Sequence, residues 1–349
     1  LVRQIEKSGK KKNAVTIKDI AKIAGVSPAT VSIAINDKKA RINTQTREKI
    51  KQIAQELGYR KNQNASSLVT SKTMNIGVIV PDISNPFFSE LAKSLGDYAI
   101  SYGYNIFIAN SYNDFEQEKK HIQSFMEQNV DGLILTSTNP QQLEKQQLTL
   151  TMPTLFLDRQ GDDHEQLSIG VDDEQGGAMI ADLFLQNAHD SICGIVSKNL
   201  GNKALKRMKG FISKLGSSGI ATTNIPIYEG QDEVNAAKIA AGYIIADKRS
   251  AVFAANDLIG LYLIRELLDL GIRIPEDVSV AGFDDIPMTQ IFNPRLTTIR
   301  QPIEEIGKES IKRLITIING TATKETAILL PLTLIERDSV INKKGMVKK

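Results

Sequence analysis

The chain has one cysteine, no tryptophan and only three histidines among 349 residues. A single thiol, Cys193, rules out an intramolecular disulfide framework and fits a reducing compartment. It lies in the apolar run Ile192-Cys193-Gly194-Ile195-Val196, the pattern of a buried strand, so a packed thiol is expected. His121, His164 and His189 are scattered without ligand spacing, which leaves neither a metal site nor a catalytic histidine to expect. There is no G-x-x-x-x-G-K-[S/T] loop, no G-x-G-x-x-G after a strand, and no evident Ser, His and carboxylate set; Gly176-Gly177 falls inside a helix-like stretch. These absences argue against an enzyme and against a cofactor. No apolar run approaches the roughly 20 residues that span a bilayer, and no leader pattern opens the chain, so a soluble cytoplasmic protein is expected.

What is present is an uneven distribution of charge. Residues 1–76 carry 16 Lys and Arg against 5 Asp and Glu, whereas the remaining 273 carry 27 against 35. A basic head of net +11 on an acidic body of net −8 is the footprint of a chain whose head alone meets phosphate. Within the head, Ile17, Ile20, Ala21 and Ala24 keep the i, i+3, i+4, i+7 spacing of one helix face, and Gly25 stops that helix. Ser27 then caps a second helix with Pro28 in its first position. That helix is expected to turn Val31 and Ile35 inward and leave Pro28, Ala29, Ser32, Ile33 and Asn36 facing out. A third helix, capped by Asn43 or Thr44, carries Ile50, Ile53, Ala54 and Leu57 and ends at Gly58. Two short helices joined by a glycine turn and braced by a third make a helix-turn-helix, whose second helix enters the major groove of DNA.

The runs Thr16-Ile17-Lys18-Asp19-Ile20-Ala21, Ala24-Gly25-Val26-Ser27-Pro28-Ala29-Thr30-Val31-Ser32 and Leu57-Gly58-Tyr59 resemble the head of the lactose-repressor (LacI/GalR) family of bacterial transcription regulators. The resemblance implies base reading by Pro28, Ala29 and Ile33. Ile33 stands where the family most often has an arginine, and none of the three can form a bidentate hydrogen bond. Contact with the thymine methyl remains, so an A·T-leaning readout is expected, with Ser32 and Asn36 making the polar contacts. Thr16, Ser27, Thr30, Lys38, Lys39, Arg41, Arg47 and Lys51 are candidates for phosphate contacts. The polar stretch Asn62 to Thr70 matches the family's hinge, which folds when two subunits meet on DNA; Leu68 matches the leucine that wedges into the minor groove. Ser66 and Val69 replace basic residues usual there, and a plain linker is the alternative.

From Met74 onward short apolar strands alternate with helices: 76–80, 104–109, 132–135, then 169–171, 192–196, 225–228, 252–254 and 278–282 as strands. Such alternation predicts parallel sheets covered by helices, with ligands at the carboxyl ends of the strands. The expected fold is therefore an all-α helix-turn-helix head followed by an α/β body of two doubly wound lobes of the periplasmic-binding-protein type. Strand 169–171 is taken to open the second lobe, and residues 300–304 to return to the first. Expected domains are a segment 1–14 set aside as an appendage or upstream extension, a head at 15–60, a hinge at 61–73, an effector-binding and dimerisation body at 74–340, and a basic tail at 341–349.

The loops after the strands hold the polar residues. By resemblance to the family cleft, Asn85, Phe87, Phe88, Thr136, Asp158, Arg159, Arg207, Asn256, Asp284 and Gln301 are the expected effector-binding residues. Rings against apolar sugar faces, with carboxylates, amides and guanidinium groups for hydroxyls, suit a compact monosaccharide, a pentose such as ribose first. Asn85 and Pro86 alternatively cap a helix beginning at Phe87, with Phe88 as core, and Asp158-Arg159 alternatively form a solvated pair. Asp285 reads as a structural turn residue. Asp232 stands where relatives commonly have an aromatic, and Thr136 where some have an amide, which leaves the sugar open. The expected function is a sugar-released transcriptional repressor, binding pseudo-palindromic operator DNA as a homodimer through helices 87–101 and 257–269. A carbon-catabolite type regulator answering to a phosphorylated protein, and a purine-responsive regulator, are the alternatives.

Overall fold

The computed structural model describes residues 15–35, 42–59, 72–136, 150–157, 167–321 and 327–345. The chain divides between Thr73 and Met74 into two units.

The first unit holds three helices, α1 (Ile17–Ala24), α2 (Pro28–Ile35) and α3 (Thr44–Glu56). Thr16 and Asp19 form a reciprocal capping box at the start of α1, and Gly25 ends it in the left-handed conformation at φ 71°. Ser27 Oγ accepts from the Thr30 amide at 3.1 Å, and Asn43 Oδ1 from the Gln45 amide at 3.0 Å, so each helix start has a side-chain acceptor. Ile20, Ala21, Ala24, Val31, Ala34, Ile50 and Ala54 form the core. The second helix corrects the expectation: Ala34 rather than Ile35 is fully buried, because the face through Val31 points its i+3 position at the centre and i+4 at the rim, where Ile35 packs half-buried.

The second unit contains two parallel sheets. In the first, β1 (Asn75–Val80), β2 (Asn105–Asn110), β3 (Gly132–Leu135), β4 (Thr154–Leu157), β5 (Ser168–Val171) and β11 (Ala327–Leu330) run in the order β11-β5-β4-β3-β1-β2. The helices α4 (Pro86–Ser101) and α5 (Phe115–Glu127) follow β1 and β2. In the second, β6 (Ile192–Ser197), β7 (Ile227–Gly230), β8 (Ala251–Ala254) and β9 (Ser279–Ala281) run in the order β7-β6-β8-β9. Their helices are α6 (Asp173–Gln186), α7 (Gly201–Ser217), α8 (Glu233–Ala246) and α9 (Asp257–Asp269). Strands buried on both faces explain the continuous apolar runs in the sequence.

Strand β5 is where the sequence reading is wrong. It pairs with β4, Phe156 opposite Ser168, and so closes the first sheet instead of opening the second lobe. The chain crosses at β5–α6, returns through β10 (Thr298–Arg300) into α10 (Ile303–Ile318) and β11, and crosses again to β12 (Thr333–Ile335), which pairs antiparallel with β10. The return near residue 300 is as expected: α10 packs on α4, with the Tyr98 hydroxyl donating to Glu304 at 3.1 Å and Gly307 leaving room for Ser94. Among the described residues no helix is long and apolar enough to cross a membrane.

Candidate functional site

On the head, Pro28 and Ala29 are exposed and Thr30, Ser32 and Ile33 half-exposed, so the outer face of α2 is the one the sequence indicated. Ile33 is absent from the apolar cluster that holds the three helices together. Thr16 and Ser27 have hydroxyls committed to their helix starts, Thr16 Oγ1 donating to Asp19 at 2.7 Å and Ser27 Oγ pairing with Thr30 Oγ1 at 2.9 Å. The Thr16 hydroxyl and amide hold the Asp19 carboxyl below its ordinary range. Both residues thereby mark helix N-termini, whose amides and dipole favour an anion. Arg47 is half-buried and Lys51 exposed on α3. Asn36, Lys38, Lys39, Arg41 and Leu68 lie outside the described residues, as do Asp158 and Arg159 of the body.

In the body three of the expected residues, Arg207, Asp284 and Gln301, meet where the chain crosses between lobes. Arg207, on the second turn of α7, is 3% exposed. Its Nε donates to Asp173 at 2.8 Å and Nη1 to the Ala255 carbonyl at 2.7 Å, while Nη2 lies 3.3 Å from Asp284 Oδ1. The guanidinium stacks 3.6 Å over the Phe283 ring. Gln301 Nε2 donates to the same Asp284 oxygen at 2.7 Å. Burial pushes the Asp284 carboxyl up to about 6 against the pull of Arg207 and Gln301. Beside it, burial and then the charge of Asp284 hold Asp257 well above the carboxylate range; Asp257 accepts from the Ile286 amide and the Thr298 hydroxyl and so ties α9 to the crossover.

The remaining expected residues divide. Asn85 caps α4 through the Phe87 amide at 3.0 Å, and both Phe87 and Phe88 lie in the core cluster, their rings edge-on at 5.1 Å, which is the packing the alternative reading described. Phe88 meets the second lobe: Lys203 Nζ of α7 stands 5.5 Å over its ring. Asn256 caps α9 through the Ile259 amide at 2.9 Å. Thr136 Oγ1, Asn256 Nδ2 and Gln301 Oε1 are buried without a hydrogen-bond partner, and buried polar atoms are rarely left so unless something else satisfies them. Asp232 caps α8 through the Asn235 amide at 2.8 Å.

Sequence reasoning missed Asp173, Lys203 and Phe283. Asp173 is a first-turn acid next to the N-cap Asp172, and no local pattern sets it apart; only the fold shows that α6 and α7 bring it to Arg207. Asp285 is structural, as read, and more than a turn. It accepts from Arg300 at 2.7 Å and Arg337 at 2.6 Å; burial would raise its carboxyl, but the two guanidinium groups outweigh that and hold it below the ordinary range. A cavity of about 270 Å³ borders this knot and shares Asp284 and Gln301 with the cleft. Cys193 and His189 have no place in the site. Burial lifts the thiol to about 12 and lowers His189 to about 4, where the imidazole joins Ser250 to the Ile341 carbonyl. Among the described residues no group of three or more His, Cys, Asp or Glu is placed to hold a metal ion.

Comparison with known proteins assigns this arrangement. The family of bacterial regulatory proteins named for lacI matches residues 16–62, and the periplasmic binding protein-like domain matches residues 181–340. The HTH-type transcriptional repressor PurR of Aliivibrio salmonicida (strain LFI1238) is 32% identical over 86% of this chain and 91% of its own length. The chain belongs to the LacI family. A LacI-family regulator is a DNA-binding transcription regulator, and the head and two-lobed body are those of the family. The lac repressor dimer solved on operator with the anti-inducer ONPF superposes with a TM-score of 0.85 at 26% identity, covering 94% of this chain and all of that one. A LacI family transcriptional regulator from Enterococcus faecium with bound ribose superposes with a TM-score of 0.70 at 28% identity, covering 77% of this chain and 99% of that one.

Proposed function

We propose that this LacI-family regulator represses a sugar-utilisation operon as a homodimer and leaves its operator when a small sugar, a pentose such as ribose first, enters the cleft. The observation that carries the reading is the buried Arg207–Asp284–Gln301 network at the lobe crossover, in which Gln301 Oε1 has no partner, together with the unpartnered buried Thr136 Oγ1 and Asn256 Nδ2 after two of the strands. A carboxylate, two amides and a hydroxyl with spare hydrogen-bonding capacity suit a ligand dense in hydroxyls. Phe88 supplies the apolar face, with Phe87 behind it in the core. Asp158 and Arg159 complete the proposed set from the sequence.

Several relatives are repressors named PurR, which favours a purine as the second reading. A planar base is best held between two aromatic faces. Here the face of Phe88 meets the ammonium of Lys203, and Asp232 is spent on a helix start, so the cleft supports a sugar better.

On DNA, Pro28, Ala29 and Ile33 read A·T-rich steps, Ser32 and Asn36 add polar contacts, and Thr16, Ser27, Thr30, Lys38, Lys39, Arg41, Arg47 and Lys51 hold phosphates. Leu68 is the minor-groove wedge. Dimerisation uses the outer faces of α4 and α9, where Ile100 and Tyr262 are exposed apolar side chains. Ligand biases lobe closure and hence the paired hinges, a coupling of about 1–3 kcal/mol. A thermal-shift screen of the full chain against pentoses, hexoses and purine bases tests the effector class. A pentose should raise the melting temperature and a purine should not; the reverse order would replace the sugar reading.

A further inference from the structure

The cavity of about 270 Å³ beside the Asp285 knot is bounded by both lobes and by the strand that joins them. Glu90 of α4 comes from the first lobe, Asp284, Asp285 and Gln290 from the second, and Arg300 and Gln301 from the crossover. At about 30 Å³ for each water displaced it has room for roughly nine non-hydrogen atoms, which suits a small organic molecule better than a single ion. Its polar groups are not balanced. Asp285 is held by Arg300 and Arg337, and Asp284 takes both Arg207 and Gln301 on Oδ1. Two acceptors are left over. Gln301 Oε1 has no partner, on a residue that is only 3% exposed. Glu90 is half-buried and makes no hydrogen bond or ion pair with any described residue; Lys93, one turn along α4, pairs with Asp97 at 3.6 Å. Burial and then the charge of Asp285 raise the Glu90 carboxyl, so it sits in a field of its own sign. A buried amide oxygen and an unpaired carboxylate both call for donors, and the carboxylate favours a donor that carries positive charge.

We infer that this cavity is a second ligand site, beside the effector cleft and sharing its Asp284 and Gln301, that takes a small organic ammonium ion carrying a further N–H or O–H donor. The ammonium meets Glu90 and the other donor meets Gln301 Oε1. An occupant there touches both lobes and the Gln301–Asp284 bond, so it biases the same lobe closure as the effector. The need of Glu90 and Gln301 for donors is the same whichever effector fills the cleft.

The test is isothermal titration of the full chain with 1,4-diaminobutane, 4-aminobutan-1-ol and the uncharged 1,4-butanediol, in the wild type and in Glu90→Gln and Glu90→Asp, each variant checked for folding by its melting temperature. The wild type should bind one diamine or one amino alcohol per chain, at least about tenfold tighter than the diol and more weakly as salt rises. Glu90→Gln, which keeps the shape of the side chain and removes its charge, should bring the amines to near parity with the diol, and Glu90→Asp should retain the preference. No amine binding by the wild type would mean a cavity that holds water alone and would overturn the inference, as would diol binding equal to that of the amines. A preference that survives Glu90→Gln, or several amines bound per chain, would put the ions on the acidic outer surface and overturn it too. Should Glu90→Gln not fold, the wild-type comparison of amine with diol and the bound ratio still decide. The sugar reading is decided by its own thermal-shift screen, so either can fail alone.

Discussion

Replacing Gly177 with alanine tests how the fold places Arg207. Gly177 on α6 faces the backbone of α7: an added Cβ would overlap the Arg207 carbonyl oxygen and lie 2.9 Å from its carbonyl carbon and 3.0 Å from the Phe211 nitrogen. Comfortable carbon contacts begin near 3.5 Å, so the helices must part by at least about 0.5 Å, and by more to clear the oxygen. No rotamer relieves this, because both partners are main chain; Gly210, which faces the Glu174 carbonyl, makes the same contact from α7. Overpacking costs about 1–3 kcal/mol, and a clash with main chain puts this site at the upper end; alanine returns up to about 1 kcal/mol of helix propensity, which leaves an expected loss of about 2 kcal/mol. The displaced atoms are those of Arg207 itself, so its 2.8 Å bond to Asp173 should loosen and the effector response weaken while the head still binds DNA. Urea unfolding and effector titration of the full chain measure both effects. Gly242→Ala on the outer face of α8, where nothing lies within 4 Å, is the control and should be neutral or stabilising. A Gly177→Ala chain within about 0.5 kcal/mol of wild type, with an unchanged effector response, would refute the reasoning.

Asp284 carries a pH signature. Its folded carboxyl is raised from 3.8 to about 6, so the folded state holds the proton more tightly; the contribution of this group to stability is full below pH 3.8 and is lost as pH rises through about 6. The loss is on the order of 3 kcal/mol, and the wild-type-minus-Asp284→Asn difference in unfolding free energy should fall across that window; a difference constant with pH would contradict the assignment. Ile33→Arg should add a guanine grip and move one step of each half-site toward G·C by about 1–3 kcal/mol, read by selection from randomised operators; an unchanged site would remove Ile33 from the base-reading set. Tyr262→Glu on α9 should shift sedimentation from dimer toward monomer and weaken operator binding; an intact dimer would move the interface elsewhere.

Much of this was legible in the sequence for reasons that are local. Three-to-four residue spacing and Gly25 mark the head, and short apolar runs mark most strands of the two parallel sheets to within a few residues, though not β11 and β12, because those signals are written in neighbouring side chains. Resemblance to the family cleft singled out Asn256, Asp284 and Gln301 in the loops after strands and Arg207 early in a helix. What escaped is non-local. Nothing near Ser168 states that its strand pairs with β4 and β11, and nothing near Asp173 states that α7 will deliver Arg207 to it. The Gly176-Gly177 pair offers no local signal either: Gly177 admits the backbone of α7 and Gly176 the side chains of Phe283 and Leu332, contacts visible only once those segments are placed. Asn85 and Phe87 illustrate the converse, motif residues of a cleft whose atoms serve a helix start and a core.

The most direct test of the account is the affinity of the intact chain for promoter DNA, measured across ionic strength with and without the sugars named above. Tight binding that weakens steeply with salt and is changed by a sugar is the predicted result. Failure to retard any such fragment at low ionic strength, or retardation that no sugar alters, would contradict it.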